Sequence, residues 1–400
     1  MPHRQGTLLG GSLLVAGTTI GGGMLALPVL TSPAGFVPSI LIYFLCWAFM
    51  ASTGLLFLEI SQWFKQDANI ITMAEATLGR WGKGFAWILY LFLFYCLTVA
   101  YMVGCGNILV QISQQAIPDW LGPILFVAIF APFIMIPTAL AGRLNVGLVI
   151  GLALSYVGFV GVGVPYVNNA FLKEMHWQNS LLSLPIAFTA FAYQGIIPTL
   201  TGYMQHDMQK TRRVILLGSF IPLLAYIVWE WLILGIVPRE GPQGLLSALQ
   251  AGNNAVEPLH YFIQNPAVYY IGQAFAFFAL VTSFLGVTLG LRDFLADGFS
   301  IQKDLRGKLL LALMVFLVPL FIAVSYPHLF LIALDYAGGF GVALLLGLLP
   351  ILMTWVGRYR MSLGGEPQLF GGQAVLGLLT LFVVFELIYQ MRHLLNKGLF

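Results

Sequence analysis

The sequence predicts an all-α polytopic membrane protein with eleven transmembrane helices. Of its 400 residues, 59% are hydrophobic and only 8% are charged, whereas a soluble domain is typically about 25% charged. The apolar residues form long continuous runs, which match the length of a helix that crosses a bilayer. The sequence lacks the short alternating segments that would indicate a transmembrane β-barrel.

Apolar runs of about 20 residues define eleven predicted spans. They cover residues 7–30, 35–61, 84–112, 120–138, 145–166, 180–202, 213–237, 267–291, 309–325, 328–354 and 371–390. Only residues 325–327 separate the ninth span from the tenth. The first run lacks a small-x-small cleavage site, so we expect a retained span rather than a signal peptide. The longest segment outside the membrane, 238–266, is expected to contain a short helix near 244–250.

The positions of lysine and arginine predict the orientation of these spans. With the N-terminus in the cytoplasm, 14 of the 18 basic residues fall in inside segments. The inside residues are Arg4, Lys65, Arg80, Lys83, Arg143, Lys210, Arg212, Arg213, Arg292, Lys303, Arg306, Lys308, Arg358 and Arg360, and the outside residues are Lys173, Arg239, Arg392 and Lys397. The positive-inside rule therefore predicts a cytoplasmic N-terminus and an external C-terminus.

Span one is interrupted by Gly21, Gly22 and Gly23, with Pro28 following. A glycine costs about 1 kcal/mol relative to alanine in a helix interior. Non-helical backbone at membrane depth is tolerated only where it is buried in protein or lines a cavity. One interpretation is therefore a substrate site built from backbone groups. The alternative is a packing face, because small residues also let membrane helices approach closely.

Span six contains a second interruption, at Gln194, Gly195 and Pro198. Spans one and six each begin a block of five spans, residues 7–166 and 180–354, and 371–390 is an additional C-terminal span. Because five is odd, the second block must have inverted topology. Paired interruptions in two inverted halves indicate a transporter site. The alternative for span six alone is a proline kink in which Gln194 bonds a neighbouring helix.

The span-one motif AGTTIGGGMLALP, residues 16–28, resembles the first broken helix of permeases in the amino acid–polyamine–organocation superfamily. With GSFIPLLAY at 218–226 and SFLGVTLGLRDFLAD at 283–297, the chain resembles the hydroxy/aromatic amino acid permease family, and its tyrosine-specific branch in particular. The resemblance implies a LeuT-like fold: a five-plus-five inverted repeat with discontinuous helices one and six, plus one C-terminal helix. It also implies proton-coupled import of an aromatic amino acid, tyrosine, across the bacterial inner membrane. Tryptophan or another amino acid, with different ion coupling, is the alternative.

A zwitterionic amino acid needs donors for its carboxylate and acceptors for its ammonium group. Helix N-termini offer free N–H groups, and unwound carbonyls suit a cation. Backbone N–H groups of Gly21, Gly22 and Gly23 are predicted to bind the carboxylate. Acceptors for the ammonium group are predicted at Thr18, Thr19, Phe191, Ala192 and Tyr193, and ring contacts at Phe188, Tyr193 and Gln194. Gln194, Thr98 and Tyr101 are candidates for a substrate hydroxyl, although ordinary interhelical hydrogen bonding is the alternative for Thr98 and Tyr101.

Four acidic residues fall within predicted spans, where acids are rare and usually functional. Glu230 and Asp335 lie well inside spans seven and ten, and they are the predicted ion-coupling residues. Glu59 and Glu386 lie nearer to span ends and are expected at a membrane interface. At the end of span eight, Arg292, Asp293 and Asp297 are expected to act at a cytoplasmic gate or to anchor a loop.

The sequence gives little support to other classes of function. The six histidines lie in or near loops, and none is spaced from a carboxylate as metal ligands or a hydrolase would require. The sequence contains no P-loop, which an ATP-driven pump would need, and no ring of polar residues, which would be expected to line a channel. The three cysteines are expected to be apolar filler. The predicted partners are an amino acid, protons and lipid, with no cofactor, metal, nucleic acid or obligatory protein partner.

Overall fold

The computed structural model describes residues 6–64, 68–113, 116–136, 138–263, 265–302 and 304–397. Arg4, Lys65 and Lys303 of the charge pattern lie outside these ranges. Within them, helices account for nearly all regular structure. The first half of the chain contains α1 (Leu8–Thr19), α2 (Gly22–Thr31), α3 (Phe36–Gln62), α4 (Ile70–Ile112), α5 (Leu121–Phe130) and α6 (Thr138–Gly163).

The second half repeats the pattern of a broken first helix followed by longer ones. It contains α7 (Leu184–Ala190), α8 (Ile197–Tyr203), α9 (Met208–Ile236), α10 (Leu245–Ala251), α11 (Leu259–Phe262), α12 (Pro266–Gly298), α13 (Leu305–Ser325), α14 (Phe330–Tyr336), α15 (Leu349–Tyr359) and α16 (Gly372–Lys397). A π-helix, Ala337–Leu348, joins α14 to α15. The predicted separation of spans nine and ten and the predicted short loop helix are both confirmed.

The described residues contain nine helices long and apolar enough to cross a membrane, or ten when the bent pair α1 and α2 counts as one span. Predicted span four corresponds to a shorter apolar helix, Leu121–Ile134. Pro132 lies in the 3-10 turn Ala131–Ile134 that ends this segment. Proline lacks a backbone donor, so it does not continue a regular α-helix. The count of eleven spans is therefore not reached by length alone.

Local sequence defines several helix starts. The side chains of Thr7, Asn69, Asp207, Asn265 and Asp304 each accept a hydrogen bond from a backbone N–H in the first turn of the helix that follows. These residue types are preferred at N-caps because their short side chains satisfy donors that have no intrahelical acceptor. The caps begin α1, α4, α9, α12 and α13.

Helix α4 is longer than its predicted span, 84–112, because helical residues continue on the other side of a kink. The kink lies at Gly79, whose φ is 72°. Glycine adopts this left-handed conformation without the steric cost of a side chain. Residues 70–83 of α4 therefore precede the predicted span start, and those before the kink run at an angle to the apolar stretch.

The broken helices lie at the centre of the bundle. Met24, Leu25, Ala26 and Leu27 of α2 are fully buried, as is Phe188 of α7. By contrast, α13 and α16 expose many large apolar side chains, as expected for a surface that faces lipid. The architecture therefore places the two interrupted helices inside a shell of continuous ones.

Candidate substrate site at two broken helices

The break in helix one lies at Ile20 and Gly21, as the sequence predicts. Helix α1 ends at Thr19, α2 begins at Gly22, and the two axes are bent by 56°. Both intervening residues have extended backbone. Because the first N–H groups of a helix lack an intrahelical acceptor, the start of α2 places backbone donors that have no partner within the helix at the centre of the protein.

The break in helix six is also confirmed. Helix α7 ends at Ala190, a non-helical segment follows at 191–193, and a 3-10 turn, Gln194–Ile196, leads into α8. The carbonyls near Ala190 therefore end one half-helix, while α8 begins the other. This arrangement frees backbone acceptors at the level where α2 presents its donors.

A buried tyrosine on α9 joins the two breaks. The Tyr226 hydroxyl oxygen lies 2.8 Å from the carbonyl oxygen of Thr19 and 2.8 Å from that of Ala190. Thr19 ends α1 and Ala190 ends α7, so one hydroxyl contacts the last residue of each half-helix. The carbonyl ends of the two interrupted helices thus meet at one point, and Tyr226 holds them together.

The glycines of helix one serve both as donors and as close-packing positions. The Gly22 N–H donates to Ser283 Oγ of α12 at 3.1 Å. A Cβ atom at Gly22 would lie 2.5 Å from a ring carbon of Tyr101, and one at Gly23 would lie 3.2 Å from the Ala190 Cα. These contacts support the packing interpretation of the glycine run, and the substrate-site interpretation stays a prediction. The space beside Gly22 is filled by the Tyr101 ring in this structure.

The two threonines before the break use their hydroxyls locally. Thr18 Oγ1 donates to the Leu14 carbonyl and Thr19 Oγ1 to the Val15 carbonyl, each at 2.8 Å. Thr18 is exposed and Thr19 is buried. The groups that these residues offer to a ligand are therefore chiefly backbone carbonyls and the remaining acceptor capacity of the hydroxyls.

Gln194 and Tyr193 attach helix six to α3. Gln194 Nε2 donates to the Met50 carbonyl and to Thr53 Oγ1, both at 3.0 Å, and Gln194 Oε1 accepts from the Tyr193 N–H. The Tyr193 hydroxyl also donates to the Met50 carbonyl, at 3.3 Å. The alternative in which Gln194 bonds a neighbouring helix is therefore confirmed.

The predicted aromatic residues form a buried wall around the breaks. Phe188 stacks on Phe49, with ring centroids 5.2 Å apart. Phe191 meets the rings of Tyr43 and Tyr226 edge-on.

In α4, the Thr98 hydroxyl donates to the Phe94 carbonyl of its own helix at 2.7 Å. Of the α4 candidates, Tyr101 therefore lies at the break, whereas the hydroxyl of Thr98 already has a local acceptor.

The two predicted ion-coupling acids occupy separate positions. Glu230 of α9 is fully buried and accepts hydrogen bonds from the hydroxyls of Thr31 and Tyr43. Thr31 is the last residue of α2, and Tyr43 lies in α3, two turns after its start. Asp335 of α14 accepts a hydrogen bond of 2.7 Å from Gln390 of α16. The contacts that the structure describes for the two acids involve different helices, α2 and α3 for Glu230 and α16 for Asp335.

Glu59 and Glu386, which are expected at a membrane interface, are both buried against protein, at 2% and 1% exposure. Their depth in the membrane stays a prediction. Arg358 of α15 forms a bidentate ion pair with Glu59, at 2.6 Å for each bond. Glu386 lies well inside α16, which continues to Lys397. The apolar run underestimates α16 but matches α3 to within one residue at each end, and in neither case does it show which neighbours cover the helix.

Two residues at the breaks, Tyr226 and Ser283, are absent from the predicted site. The available signal was indirect, since both belong to the stretches that carry the family resemblance.

At the predicted gate, Arg292 donates to the Ile134 carbonyl at 2.6 Å and contacts Asp293. This contact anchors the 3-10 turn after α5 to α12. The described residues contain no group of three or more side chains suited to a metal ion.

The bundle of apolar helices and the two breaks that meet at its centre define a multi-pass membrane protein of the transporter class. A model of the tryptophan/tyrosine permease family matches residues 4–390. The chain belongs to the tryptophan/tyrosine permease family. The predicted family resemblance is thereby confirmed, and the chain is a permease and not an enzyme.

Relatives in Haemophilus influenzae are similar over most of their length. A tryptophan-specific transport protein is 30% identical over 404 residues, which cover 97% of this chain and 96% of that protein. Tyrosine-specific transport system 1 is 31% identical over 385 residues, covering 95% and 94%. Tyrosine-specific transport system 2 is 32% identical over 353 residues, covering 86% and 87%. The identities to proteins named for tryptophan and for tyrosine are nearly equal.

Proposed function

We propose that this permease imports an aromatic amino acid, tyrosine, across the bacterial inner membrane together with protons. The observation that carries the proposal is the Tyr226 hydroxyl, which contacts the carbonyl ends of both interrupted helices. The names of the relatives support an aromatic substrate. Tryptophan is the second candidate, because a relative named for tryptophan is as similar as those named for tyrosine.

The proposed architecture is the LeuT-like inverted repeat, with residues 7–166 and 180–354 as its halves and 371–390 as the extra span. The first helix of each half is interrupted, which supports this division. Leu121–Ile134 would be the short fourth span. The N-terminus is proposed to be cytoplasmic and the C-terminus periplasmic. Reporter fusions at the C-terminus test this topology, and a reporter that is active only in the cytoplasm would contradict it.

In the proposed substrate pose, the carboxylate binds the N–H groups of Gly21, Gly22 and Gly23. The positive end of the α2 dipole lies there, and it favours an anion. The ammonium group binds carbonyls at the ends of α1 and α7, with acceptors drawn from Thr18, Thr19, Phe191, Ala192 and Tyr193. Tyr226 already contacts two carbonyls in this region, so it orients the acceptors that the ammonium group requires.

The aromatic ring of the substrate is proposed to lie near Phe188, Phe191 and Tyr193. A site that bonds a substrate hydroxyl rejects an analogue that lacks it. Gln194 and Thr98 have other partners, so Tyr101, beside Gly22, is the favoured contact for a phenol. Binding requires the Tyr101 ring to move away from Gly22, since it fills that space in the present structure.

The exposure of the two sides of the breaks supports an alternating-access cycle. On the side of α2, the loop between α9 and α12 covers the helix, and the Ala255 N–H donates to the Leu25 carbonyl at 3.0 Å. On the side of α1, Gly17 and Thr18 are exposed, and so is Gly286 of α12. Given the proposed topology, the site is covered from outside and less covered toward the cytoplasm.

Glu230 and Asp335 are the proposed carriers of the coupling proton. Glu230 contacts Thr31 at the end of α2 and Tyr43 within α3, so its charge acts on the half of helix one that presents donors to the substrate. Asp335 lies beside the π-helix, a rare element that is often found at functional sites. Burial in the membrane makes a charged carboxylate costly, which favours binding of a proton.

The test is uptake of radiolabelled tyrosine into proteoliposomes under imposed proton or sodium gradients. We expect accumulation driven by an inward proton gradient, with tyrosine a stronger competitor than phenylalanine or tryptophan. Stronger competition by tryptophan would transfer the proposal to that substrate. Accumulation driven by sodium alone would contradict proton coupling.

A further inference from the structure

Glu386 of α16 differs from the other acids buried in the bundle. Its side chain is 1% exposed, and neither carboxyl oxygen has a hydrogen-bond partner among the described residues. Glu59 is paired with Arg358, and Glu230 accepts from two hydroxyls. An ionised carboxylate buried without a partner is very costly. Glu386 therefore needs a proton or a bound cation.

A second carboxyl group acts on Glu386 from a facing helix. Gln390, one turn along α16, donates to Asp335 of α14 at 2.7 Å, and the charge of Asp335 acts on Glu386. The other titratable group whose interaction reaches Glu386 is the buried Cys46 thiol of α3. On its own helix, Arg392 is exposed. The described groups that act on Glu386 thus include a like charge and a thiol, and none of them is a cation.

We propose that Glu386 and Asp335 form a site that holds one proton between them. In the present structure Glu386 is the neutral carboxylic acid and Asp335 is the carboxylate bonded by Gln390, and the coupling proton assigned above to Asp335 is this shared proton. Two carboxyl groups that share a buried site do not both ionise, because their like charges repel. The Gln390 amide donates to Asp335, whereas neither oxygen of Glu386 has a donor among the described residues, and this difference favours Asp335 as the charged member. An environment without hydrogen-bond donors to Glu386 is then the one expected for a protonated, uncharged carboxylic acid.

The site lies where α16 packs on helix six. Phe382, one turn before Glu386, contacts Phe188 of α7 and Phe49 of α3, with ring centroids 5.7 and 5.1 Å away. Phe188 precedes Ala190, the last residue before the break. Loss of the proton would leave a carboxylate on α14 and another on α16, whose like charges repel and oppose the contact between these helices. This last step rests on the proposed transport function, whereas the proton site itself does not.

The protonation state of Glu386 is tested with dicyclohexylcarbodiimide, an apolar reagent that reacts with protonated carboxylic acids. The acid proton moves to a carbodiimide nitrogen and the carboxyl oxygen bonds to the central carbon, so the adduct is found by peptide mass spectrometry. We expect Glu386 in the intact detergent-solubilised protein to be labelled at neutral pH and to lose reactivity as the pH rises. Glu59, equally buried but paired with Arg358, is the matched control and should carry at least tenfold less adduct.

Two further arms identify the ligand and the partner. Labelling of Glu386 should be equal in sodium chloride and in choline chloride, and protection by sodium would replace the proton with a metal cation. In Asp335→Asn the like charge is absent, so Glu386 should lose reactivity at a pH lower by about one unit or more. An unchanged profile would remove Asp335 from the site. An unreactive Glu386 at every pH in the folded protein would overturn the proposal, whatever the transported substrate.

Discussion

The two broken helices are held open in different ways. In helix one, the break consists of extended backbone and glycines. Among the described contacts, Ser283 is the only side chain that accepts a hydrogen bond from a backbone N–H of these glycines, that of Gly22. In helix six, the break is fixed by Gln194 and Tyr193, whose side chains bond α3. Helix one therefore leaves backbone groups for a ligand, whereas the polar side chains of helix six form hydrogen bonds to a neighbouring helix. Substitutions at the two breaks should separate transport from stability.

The largest effect on transport is expected for Gly22→Leu. The new side chain would collide with Tyr101 and with Leu280, whose Cδ2 would lie 3.0 Å from a Cβ atom at this position, and it would occupy the carboxylate site. Uptake per folded protein should fall at least tenfold. If the loss is entirely in substrate binding, it corresponds to about 1.4 kcal/mol of binding free energy. Initial rates should be normalised to membrane abundance measured in the same preparation.

The matched control for Gly22 is Gly17→Ala. Gly17 lies five residues earlier, in α1 on the other side of the break, and nothing lies within 4 Å of a Cβ atom there. Near-normal uptake is expected for this variant. If Gly22→Leu instead reaches the membrane normally and transports normally, the glycine run is not part of the substrate site. Loss of abundance alone would assign it to helix packing.

Tyr226→Phe should affect both breaks, because it removes the hydroxyl that contacts Thr19 and Ala190. A buried carbonyl left without its donor costs about 1–3 kcal/mol. We expect a several-fold loss of uptake and a lower melting temperature. Tyr156→Phe is the control, since its hydroxyl donates to the carbonyl of Ala225, next to Tyr226 in sequence but away from both breaks. Equal losses of uptake in the two variants would argue against a role for Tyr226 in the site.

Gln194→Ala should change stability more than transport. It removes the bonds to the Met50 carbonyl and Thr53, which leaves buried polar groups unpaired. The free energy of unfolding should fall by about 1–3 kcal/mol, measured as a loss of thermal stability in detergent. Uptake by the folded fraction should keep its order of competition among aromatic amino acids. A changed order would restore Gln194 as a contact to the substrate ring.

The smallest effect is expected in the loop that covers helix one. Burial raises the pKa of Glu257 from its usual 4.5 to about 7, and the hydrogen bond from Gln111 only partly offsets this. The raised pKa means that the neutral acid stabilises the fold below about pH 4.5, and that this contribution is lost as the pH rises through about 7.

Glu257→Gln keeps a neutral side chain at every pH. Its melting temperature should match that of the wild type in acid and exceed it slightly above about pH 7. Glu240→Gln, which replaces an exposed acid of the same loop that pairs with Arg239, is the control for removing a loop carboxylate. If wild type and Glu257→Gln respond to pH identically, the loop cover of helix one does not depend on Glu257.

Several elements were predictable because they depend on residues close in sequence. Apolar runs locate the long helices, and the glycines and prolines of residues 21–28 and 195–198 locate both breaks. The caps at Thr7 and Asn69 act within three residues. The fourth span is the exception, because Pro132 ends the regular helix inside an apolar run and hydropathy alone does not register it.

The sequence by itself determined the membrane class, the two breaks and, through its motifs, the permease family. The tertiary structure decided which polar groups meet. Gly22 and Ser283 are 261 residues apart, and Glu59 meets Arg358 across 299. Burial also decided that Glu386 has no partner, although hydropathy placed it near a span end. Backbone propensity acts over a few residues, whereas the partner of a buried polar group depends on which helices pack together, and no local pattern specifies that.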